Sequence, residues 1–147
     1  MNTRIQEFIT GKRIAIVGAS RTDKNKFGNM ASAELKRRGY EVFFVHPQAQ
    51  SINGEAAYPS LHALSGRVDG VLVSVPAAKG ADVLREAAAA GFRNVWLQQG
   101  AESAELVRLG EELHLNLVTG KCILMYAQPV RGFHSVHRFI ARLSGQL

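Results

Sequence analysis

The sequence predicts an α/β domain in which five parallel strands form one doubly wound sheet with helices on both faces. Two observations support this prediction. Short apolar runs of Val, Ile and Leu alternate along the chain with longer segments in which apolar residues recur at helical spacing. The runs show no alternation with polar residues, which is typical of strands buried on both faces of a parallel sheet, and the helices between them supply right-handed crossovers.

Each predicted strand is a short apolar run, and two of the runs end at residues that interrupt strands. Gly18 ends the first run, and Pro76 ends the third and can begin the helix that follows. In chain order, the predicted strands are residues 14–17, 42–45, 71–75, 95–97 and 115–119.

Helical spacing and terminal glycines define the predicted helices. Phe27, Ala31 and Leu35 recur at every fourth position and share one helix face. Gly39 stands where a helix C-cap glycine belongs, and Gly91 closes a later helix in the same way. In chain order, the predicted helices are residues 3–8, 27–38, 60–64, 77–90, 102–113 and 132–143.

Length and composition indicate a single domain that spans residues 1–147. The chain has 46% hydrophobic residues, enough for one full core but not for a second domain of ordinary size. Cys122 is the single cysteine, which excludes an intrachain disulfide and a cysteine-based zinc site and suits a reducing compartment. Because no apolar stretch approaches the length of a membrane span and the N-terminus does not resemble a signal peptide, we expect a soluble, cytoplasmic protein.

The net charge favours an anionic partner. Eighteen basic and twelve acidic residues give a formal charge of +6, which is compatible with nucleic acid, an acidic membrane surface or a polyphosphate ligand. The chain contains no dense run of Lys and Arg and no basic surface interleaved with aromatic residues, which argues against nucleic acid. We therefore expect a small phosphate-bearing ligand rather than a nucleic acid or a membrane.

The strongest functional signal lies where the first strand ends. Gly18 allows a sharp turn in which backbone N–H groups approach anionic oxygens, and Ser20 adds a hydroxyl donor. Gly28 opens a predicted helix whose N-terminal amides carry partial positive charge. Positive side chains follow the turn at Arg21, Lys24 and Lys26. This pattern predicts a phosphate-binding turn, while a tight turn without any ligand remains the alternative.

The residue after the second strand argues against NAD. Ligands of doubly wound sheets bind outside the carboxyl ends of the strands, and a NAD site normally places Asp or Glu after the second strand to accept hydrogen bonds from the ribose hydroxyls. Here His46 and Pro47 occupy that place. An imidazole cannot accept hydrogen bonds from both ribose hydroxyls as a carboxylate does, but it can lie beside a phosphate. The sequence thus predicts an adenine nucleotide with an additional phosphate.

Several short motifs resemble one family. They are, in chain order, Val17-Gly18-Ala19-Ser20, Lys26-Phe27-Gly28-Asn29, Val45-His46-Pro47, Tyr58-Pro59-Ser60-Leu61, Val73-Ser74-Val75-Pro76, Val95-Trp96-Leu97-Gln98, Gly100-Ala101-Glu102-Ser103 and Gly120-Lys121-Cys122-Ile123. Their order and spacing resemble the small CoA-binding domain proteins, whose Rossmann-like fold is similar to the N-terminal domain of the succinyl-CoA synthetase α subunit. The resemblance covers approximately residues 12–147.

The resemblance implies a binding site for coenzyme A or an acyl-CoA. It implies that the diphosphate is held by the first turn and the start of its helix, that the residues after the second strand border the adenosine, and that two later strand ends line the remaining groove. The residues concerned are Gly18, Ala19, Ser20, Arg21, Lys26, Phe27, Gly28, Asn29, His46, Pro47, Val75, Pro76, Gln99 and Gly100. Gln48 departs from the family, in which a basic residue often follows the Asn-Pro pair.

Two functional classes stay open. The phosphohistidine domain of succinyl-CoA synthetase is not expected in this chain, and no nucleophile is paired with a base. Non-catalytic CoA binding by a sensor, carrier or regulator is therefore favoured. The alternative is an accessory subunit of an NADP-type reductase or an acyl-CoA ligase that uses the same groove. The sequence leaves open whether the chain forms a homodimer through its last helix and whether Cys122 exchanges disulfides with the CoA thiol.

The paired histidines of the last predicted helix are not expected to bind a metal. His134 and His137 are three residues apart, a spacing that suits metal binding, but no Cys, Asp or Glu lies within a turn to complete the ligand set. Packing of His137 at the edge of the helix's apolar stripe is the favoured interpretation.

Overall fold

A seven-stranded sheet forms the centre of the protein in this computed structural model, which describes residues 2–129. In chain order, the strands are β1 (Arg13–Val17), β2 (Glu41–Val45), β3 (Ser51–Ile52), β4 (Glu55–Tyr58), β5 (Gly70–Val73), β6 (Asn94–Gln98) and β7 (Asn116–Lys121). The helices are α1 (Thr3–Thr10), α2 (Phe27–Arg37), α3 (Ala77–Ala89) and α4 (Ala104–Glu112), with 3-10 turns at Leu61–Leu64 and Ile123–Met125.

The strand order creates a switch point beside β1. The strands lie in the order β3-β4-β2-β1-β5-β6-β7, and every recorded pairing is parallel except that of β3 with β4. From β1 the chain crosses to β2 on one side, and it later returns to β5 on the other side of β1. Crossovers that leave in opposite directions open a crevice at the carboxyl ends of the strands, which is where ligands of such sheets bind.

Alternate residues of each central strand enter two separate cores. Ile14 and Ile16 of β1 pack in the core beneath α1 and α2, whereas Ala15 belongs to the core beneath α3 and α4. The same alternation places Trp96 in the first core, where its ring lies 5.3 Å from that of Phe8 in an edge-on arrangement. Because both faces are covered, the strands are apolar throughout, which is why they appear in the sequence as unbroken apolar runs.

The predicted fold class is confirmed, but the predicted strand count was wrong. All five predicted strands are present, with bounds that differ by one or two residues, and β3 and β4 were missed. These two strands form a hairpin around Asn53-Gly54, whose φ angles of 53° and 78° suit the tight two-residue turn that Asn-Gly favours. The hairpin strands are short and β4 contains Ala56 and Ala57, so they carry no strong strand pattern.

The helices also agree with the sequence, with one change of type. α1 to α4 lie where helices were predicted, whereas the segment predicted as residues 60–64 is a 3-10 turn. The predicted helix at residues 132–143, including His134 and His137, lies outside the described residues. Among residues 2–129, no helix combines the length and the apolar character needed to cross a lipid bilayer.

Candidate functional site

Gly18 lies in close contact with the end of β5. A Cβ atom placed on Gly18 would lie 2.1 Å from the carbonyl oxygen of Ser74, and its φ of 121° is rarely adopted by other residues. The Ser74 N–H donates to the Val17 carbonyl at 2.8 Å, so the two strand ends are joined at the switch point. The glycine is therefore required by the contact between β1 and β5 even before any ligand is considered.

The start of α2 presents unpaired amides next to this turn. The first intrahelical acceptor is the Lys26 carbonyl, bonded by Met30 N–H at 3.0 Å, and Lys26 supplies no side-chain cap. The N–H groups of the first turn therefore have no partner within the helix. A Cβ on Gly28 would lie 2.9 Å from the Ala19 nitrogen, so α2 begins directly against the end of β1. This arrangement favours an anion at the amino end of α2.

Asn29 braces the turn from inside. Its side chain is 1% exposed, and Oδ1 accepts from Ser20 N–H at 2.7 Å while Nδ2 donates to the Ser20 carbonyl at 2.8 Å. Nδ2 also donates to Oδ1 of Asn53 in the β3–β4 turn at 3.1 Å. The sequence predicted Asn29 as a ligand contact. The structure shows its amide bonded to Ser20 and to Asn53, so Asn29 positions Ser20, and its contact with a ligand stays a prediction.

The Ser20 hydroxyl organises the next residues of the loop. Its Oγ accepts from the N–H groups of Thr22 and Asp23 at 3.1 and 3.0 Å. Asp23 then accepts from Asn25 N–H at 2.9 Å. The loop is thus a series of turns that are capped by side chains. Its cationic side chains are exposed to solvent; they are Arg21, Lys24 and Lys26.

His46 caps the turn after β2. Its Nδ1 accepts from the backbone N–H groups of Gln48 and Ala49, both at 3.0 Å. This hydrogen-bond pattern assigns the ring proton to Nε2. Pro47, which the sequence also predicted, is exposed at the tip of the same turn. In NAD sites, a carboxylate that binds the ribose follows the second strand. Here the residue at that position is His46, whose Nε2–H is a hydrogen-bond donor.

Arg21 links the first loop to the second. Its Nη2 donates to Oε1 of Gln48 at 3.4 Å, so the loop after β1 contacts the turn after β2. The sequence did not predict this pair, because no local pattern indicates that residues 27 positions apart become neighbours. The contact makes Gln48 part of the candidate site.

The remaining predicted residues follow β5 and β6. Val75 is half-buried and Pro76 is exposed, and both follow Ser74 at the switch point. Gln99 and Gly100 are exposed after β6, and the Gly100 N–H donates to the Glu102 carboxylate at 2.9 Å. Since neighbouring strands are about 4.8 Å apart, the end of β6 lies roughly 10 Å from the β1 turn. The predicted residues thus lie at the carboxyl ends of the strands, and their contacts with a ligand stay predictions.

The sequence comparison decides the family. The sequence model that describes the CoA binding domain matches residues 12–128, which include every strand of the sheet. The chain belongs to the CoA-binding domain family. The family resemblance noted from the motifs is thereby confirmed.

Relatives of this CoA-binding domain include both small proteins and large enzymes. It is 29% identical over 112 residues to acetate–CoA ligase [ADP-forming] II from Archaeoglobus fulgidus, an alignment that covers 71% of this chain and 16% of the ligase. The chain therefore spans about a sixth of that curated relative. A conserved hypothetical protein from Pyrococcus furiosus is 38% identical with a TM-score of 0.71, covering 76% of this chain and 96% of that one.

A structure of an enzyme shows the same fold within a longer chain. The apo form of the dinucleotide-forming acetyl-coenzyme A synthetase 1 of Ca. Korarchaeum cryptofilum is 25% identical with a TM-score of 0.64, covering 75% of this chain and 26% of that chain. This CoA-binding domain thus shares its fold with one part of a larger enzyme as well as with proteins of its own size.

Carboxylates with shifted pKa values lie away from the candidate site of this CoA-binding domain. Hydrogen bonds from the Arg13 guanidinium lower the pKa of Asp69, which lies at the opposite, amino end of β1 and β5. The pKa of Glu34, on α2, is also lowered: burial raises it, but hydrogen bonds from Arg37 and Arg38 outweigh that effect. Neither carboxylate lies at the carboxyl ends of the strands, where the candidate site is.

The described residues contain no group of side chains that could hold a metal ion. Within residues 2–129, no three His, Cys, Asp or Glu side chains group as metal ligands. Cys122 is a free, half-buried thiol that directly follows β7. Its predicted exchange with the CoA thiol stays a prediction.

Proposed function

We propose that this protein binds coenzyme A or an acyl-CoA in the crevice between the β1–α2 and β5–α3 turns, without catalysing a reaction itself. We further propose that residues 1–147 act as one binding domain in the cytoplasm, for a small-molecule ligand rather than for nucleic acid or a membrane. Membership of the CoA-binding domain family supports the ligand.

The observation that carries the proposal is the uncapped amino end of α2 beside Gly18 and Ser20. Its first-turn amides have no acceptor within the helix, and Lys26 contributes no cap. A diphosphate would accept hydrogen bonds from these amides and gain from the partial positive charge of about half an elementary unit at the helix start. The exposed cations of the preceding loop add to the attraction.

The surroundings of Ser20 support binding rather than catalysis. Its Oγ is engaged by the N–H groups of Thr22 and Asp23, not by a base that would remove its proton. The loop therefore uses this hydroxyl to hold its own shape. A ligand would meet a turn that is already formed by these hydrogen bonds, which reduces the conformational entropy lost on binding.

Calorimetry with CoA, dephospho-CoA, NAD, NADP and ATP tests the proposal. We expect CoA to bind with a micromolar or lower Kd and NAD to bind far more weakly, because the end of β2 lacks a carboxylate for the NAD ribose. Lys26→Glu, at the start of α2, should weaken CoA binding by about tenfold or more. Arg108→Glu on the exposed face of α4 makes the same change in net charge and serves as the control. Equal weak heats for all five ligands would contradict the proposal.

A second candidate is a binding component of a CoA ligase that requires a partner chain. The similarity to acetate–CoA ligase [ADP-forming] II favours it, since this chain aligns with only 16% of that enzyme. Under this hypothesis, turnover of an acyl-CoA appears only when a protein supplying the remaining parts is added. CoA binding together with no turnover in any such mixture would favour the pure binding role.

A further inference from the structure

We propose that residues 130–147 of this chain dock in a groove between the exposed face of α2 and the 3-10 turn Ile123–Met125. The groove is formed by described residues, whereas the segment that would occupy it lies outside them. This inference goes beyond the proposed function and is independent of it, so its tests use no ligand.

The groove brings apolar side chains of two elements together at the surface. Met30 and Ala33 are three residues apart on one face of α2, and Leu124 and Met125 line the groove from the turn, while charged residues of α2 complete the lining. Met30 is 54% exposed, and no other large apolar side chain among residues 2–129 is exposed. The groove has a volume of about 580 Å³. Contiguous apolar surface of this kind marks a contact site on a folded protein.

Buried hydrogen bonds hold the chain beside this groove just before the segment begins. The Arg38 guanidinium is 8% exposed, and its Nη1 donates to the carbonyls of Leu124 and Ala127, both at 2.8 Å. The Tyr40 hydroxyl donates to the Gln128 carbonyl at 2.9 Å. Residues 124–128 are therefore fixed next to the carboxyl end of α2, so the segment that follows them starts close to the groove.

The sequence of the segment suits an apolar groove along a helix. A helix is predicted for residues 132–143, which would be about 18 Å long, and α2 with its 11 residues is about 16 Å long. A helix of this length is only marginally stable by itself in water, so it needs a surface that covers its apolar stripe. The residues of that stripe are Phe133, Val136, Phe139, Ile140 and Leu143.

The short connection favours the chain's own segment over that of a second copy. Residues 129–131 separate the fixed Gln128 from the predicted helix, and three residues span at most about 10 Å. A connection this short gives the segment an effective concentration in the millimolar range at the groove. The segment of another molecule competes only at the protein's concentration in solution, which is far lower.

Thiol labelling tests whether the segment covers the groove. In a Cys122→Ser background, Ala33→Cys places the single thiol of the described residues in the groove. Val136→Asp/Ile140→Asp introduces charge into the apolar stripe and should raise the labelling rate about tenfold or more, because the segment no longer docks. Ser135→Asp/Ser144→Asp adds the same charge outside the stripe and should leave the rate unchanged.

A second thiol position separates undocking from general unfolding. Ala78→Cys, at an exposed position of α3 in the same Cys122→Ser background, should be labelled at one rate whether or not the stripe is changed. No acceleration at Ala33→Cys, or an equal acceleration at both positions, would overturn the proposal.

Proteolysis tests the same contact from the side of the groove. Trypsin cleaves after arginine, and Arg138 lies within the predicted helix. Ala33→Asp places a carboxylate in the groove, and we expect cleavage after Arg138 to become about tenfold faster or more as the segment is released. Ala78→Asp makes the same substitution at the exposed position of α3 and should not change the rate. Equal cleavage rates in the unmodified protein and both variants would contradict the docking.

Protein concentration identifies which molecule supplies the segment. If the chain covers its own groove, the labelling rate of Ala33→Cys is the same across an about hundredfold range of protein concentration, because the contact is intramolecular. Protection that increases with concentration, together with a dimeric mass in light scattering, would place a second copy in the groove and overturn the assignment.

Discussion

Ser20 and Asn29 form a reciprocal pair of hydrogen bonds, in which the Ser20 backbone donates to the Asn29 side chain at 2.7 Å and the side chain donates back at 2.8 Å. The pair joins the loop after β1 to the first turn of α2 across nine residues. Because the amide is buried, it has no solvent to replace either bond. The position of the candidate phosphate turn therefore depends on this one side chain.

Replacing Asn29 should destabilise the protein and weaken CoA binding together. Asn29→Ala leaves the Ser20 N–H and carbonyl without these partners in a partly buried environment, which costs about 1 kcal/mol or more of the free energy of unfolding. Urea unfolding and calorimetry measure the two effects. The exposed Asn25→Ala on the same loop should change stability by less than about 0.5 kcal/mol. Equal effects of the two variants would show that the brace is unimportant.

Gly18→Ala should cost more stability than the same change at another glycine with positive φ. The new Cβ would lie 2.1 Å from the Ser74 carbonyl oxygen, so β1 and β5 must separate, whereas a Cβ on Gly66 meets nothing within 4 Å. We expect a loss above about 3 kcal/mol at Gly18 and about 1 kcal/mol at Gly66, where only the backbone conformation is unfavourable. Similar losses in thermal or urea unfolding would contradict the close contact.

Asp69→Asn should remove stability that depends on pH. The Arg13 guanidinium, with a contact of 3.0 Å, and two backbone N–H groups lower the pKa of Asp69 against the opposing effect of partial burial. A carboxylate whose pKa is lower in the folded state than in the unfolded chain stabilises the fold. This stabilisation is complete above the ordinary carboxyl pKa near 4, and it is lost as the pH falls through the folded-state pKa. The wild type should therefore exceed the variant in stability at pH 7, and this difference should shrink toward pH 2. Asp82→Asn, at a fully exposed carboxylate, is the control.

Tyr40 should make the native state sensitive to alkali. Burial raises the pKa of Tyr40 to about 12, although the nearby Arg38 charge opposes the rise. Since the pKa in the unfolded chain is about 10, the stabilising contribution is complete below pH 10 and is lost as the pH rises through about 12. Tyr40→Phe should lower stability at pH 7 by about 1 kcal/mol through loss of the bond to the Gln128 carbonyl.

The same variant should lose less stability than the wild type as the pH is raised from 9 to 12, because it lacks the ionising hydroxyl. Urea unfolding across this range, together with the absorbance of tyrosinate, measures the effect. Ionisation of all tyrosines of the native protein in a single step near pH 10 would contradict the prediction.

Most of the architecture was predictable because its signals are local. The runs that became β1, β5 and β6 are apolar because both faces of the sheet are covered, and the helices between them repeat at helical spacing. The β3–β4 hairpin was missed because its strands are short. Asn53-Gly54 was the one available signal, since that pair favours a tight hairpin turn.

The sequence alone determined the parallel sheet, the glycine-containing turn after its first strand and the family to which the chain belongs. Only the tertiary structure decided which groups meet there: Gly18 with Ser74, Asn29 with Ser20 and Asn53, and Arg21 with Gln48. Strand and helix character follows from residues a few positions apart. The contacts between loops depend instead on the order in which the strands pair in the sheet. That order cannot be deduced from residues that are close together in the chain.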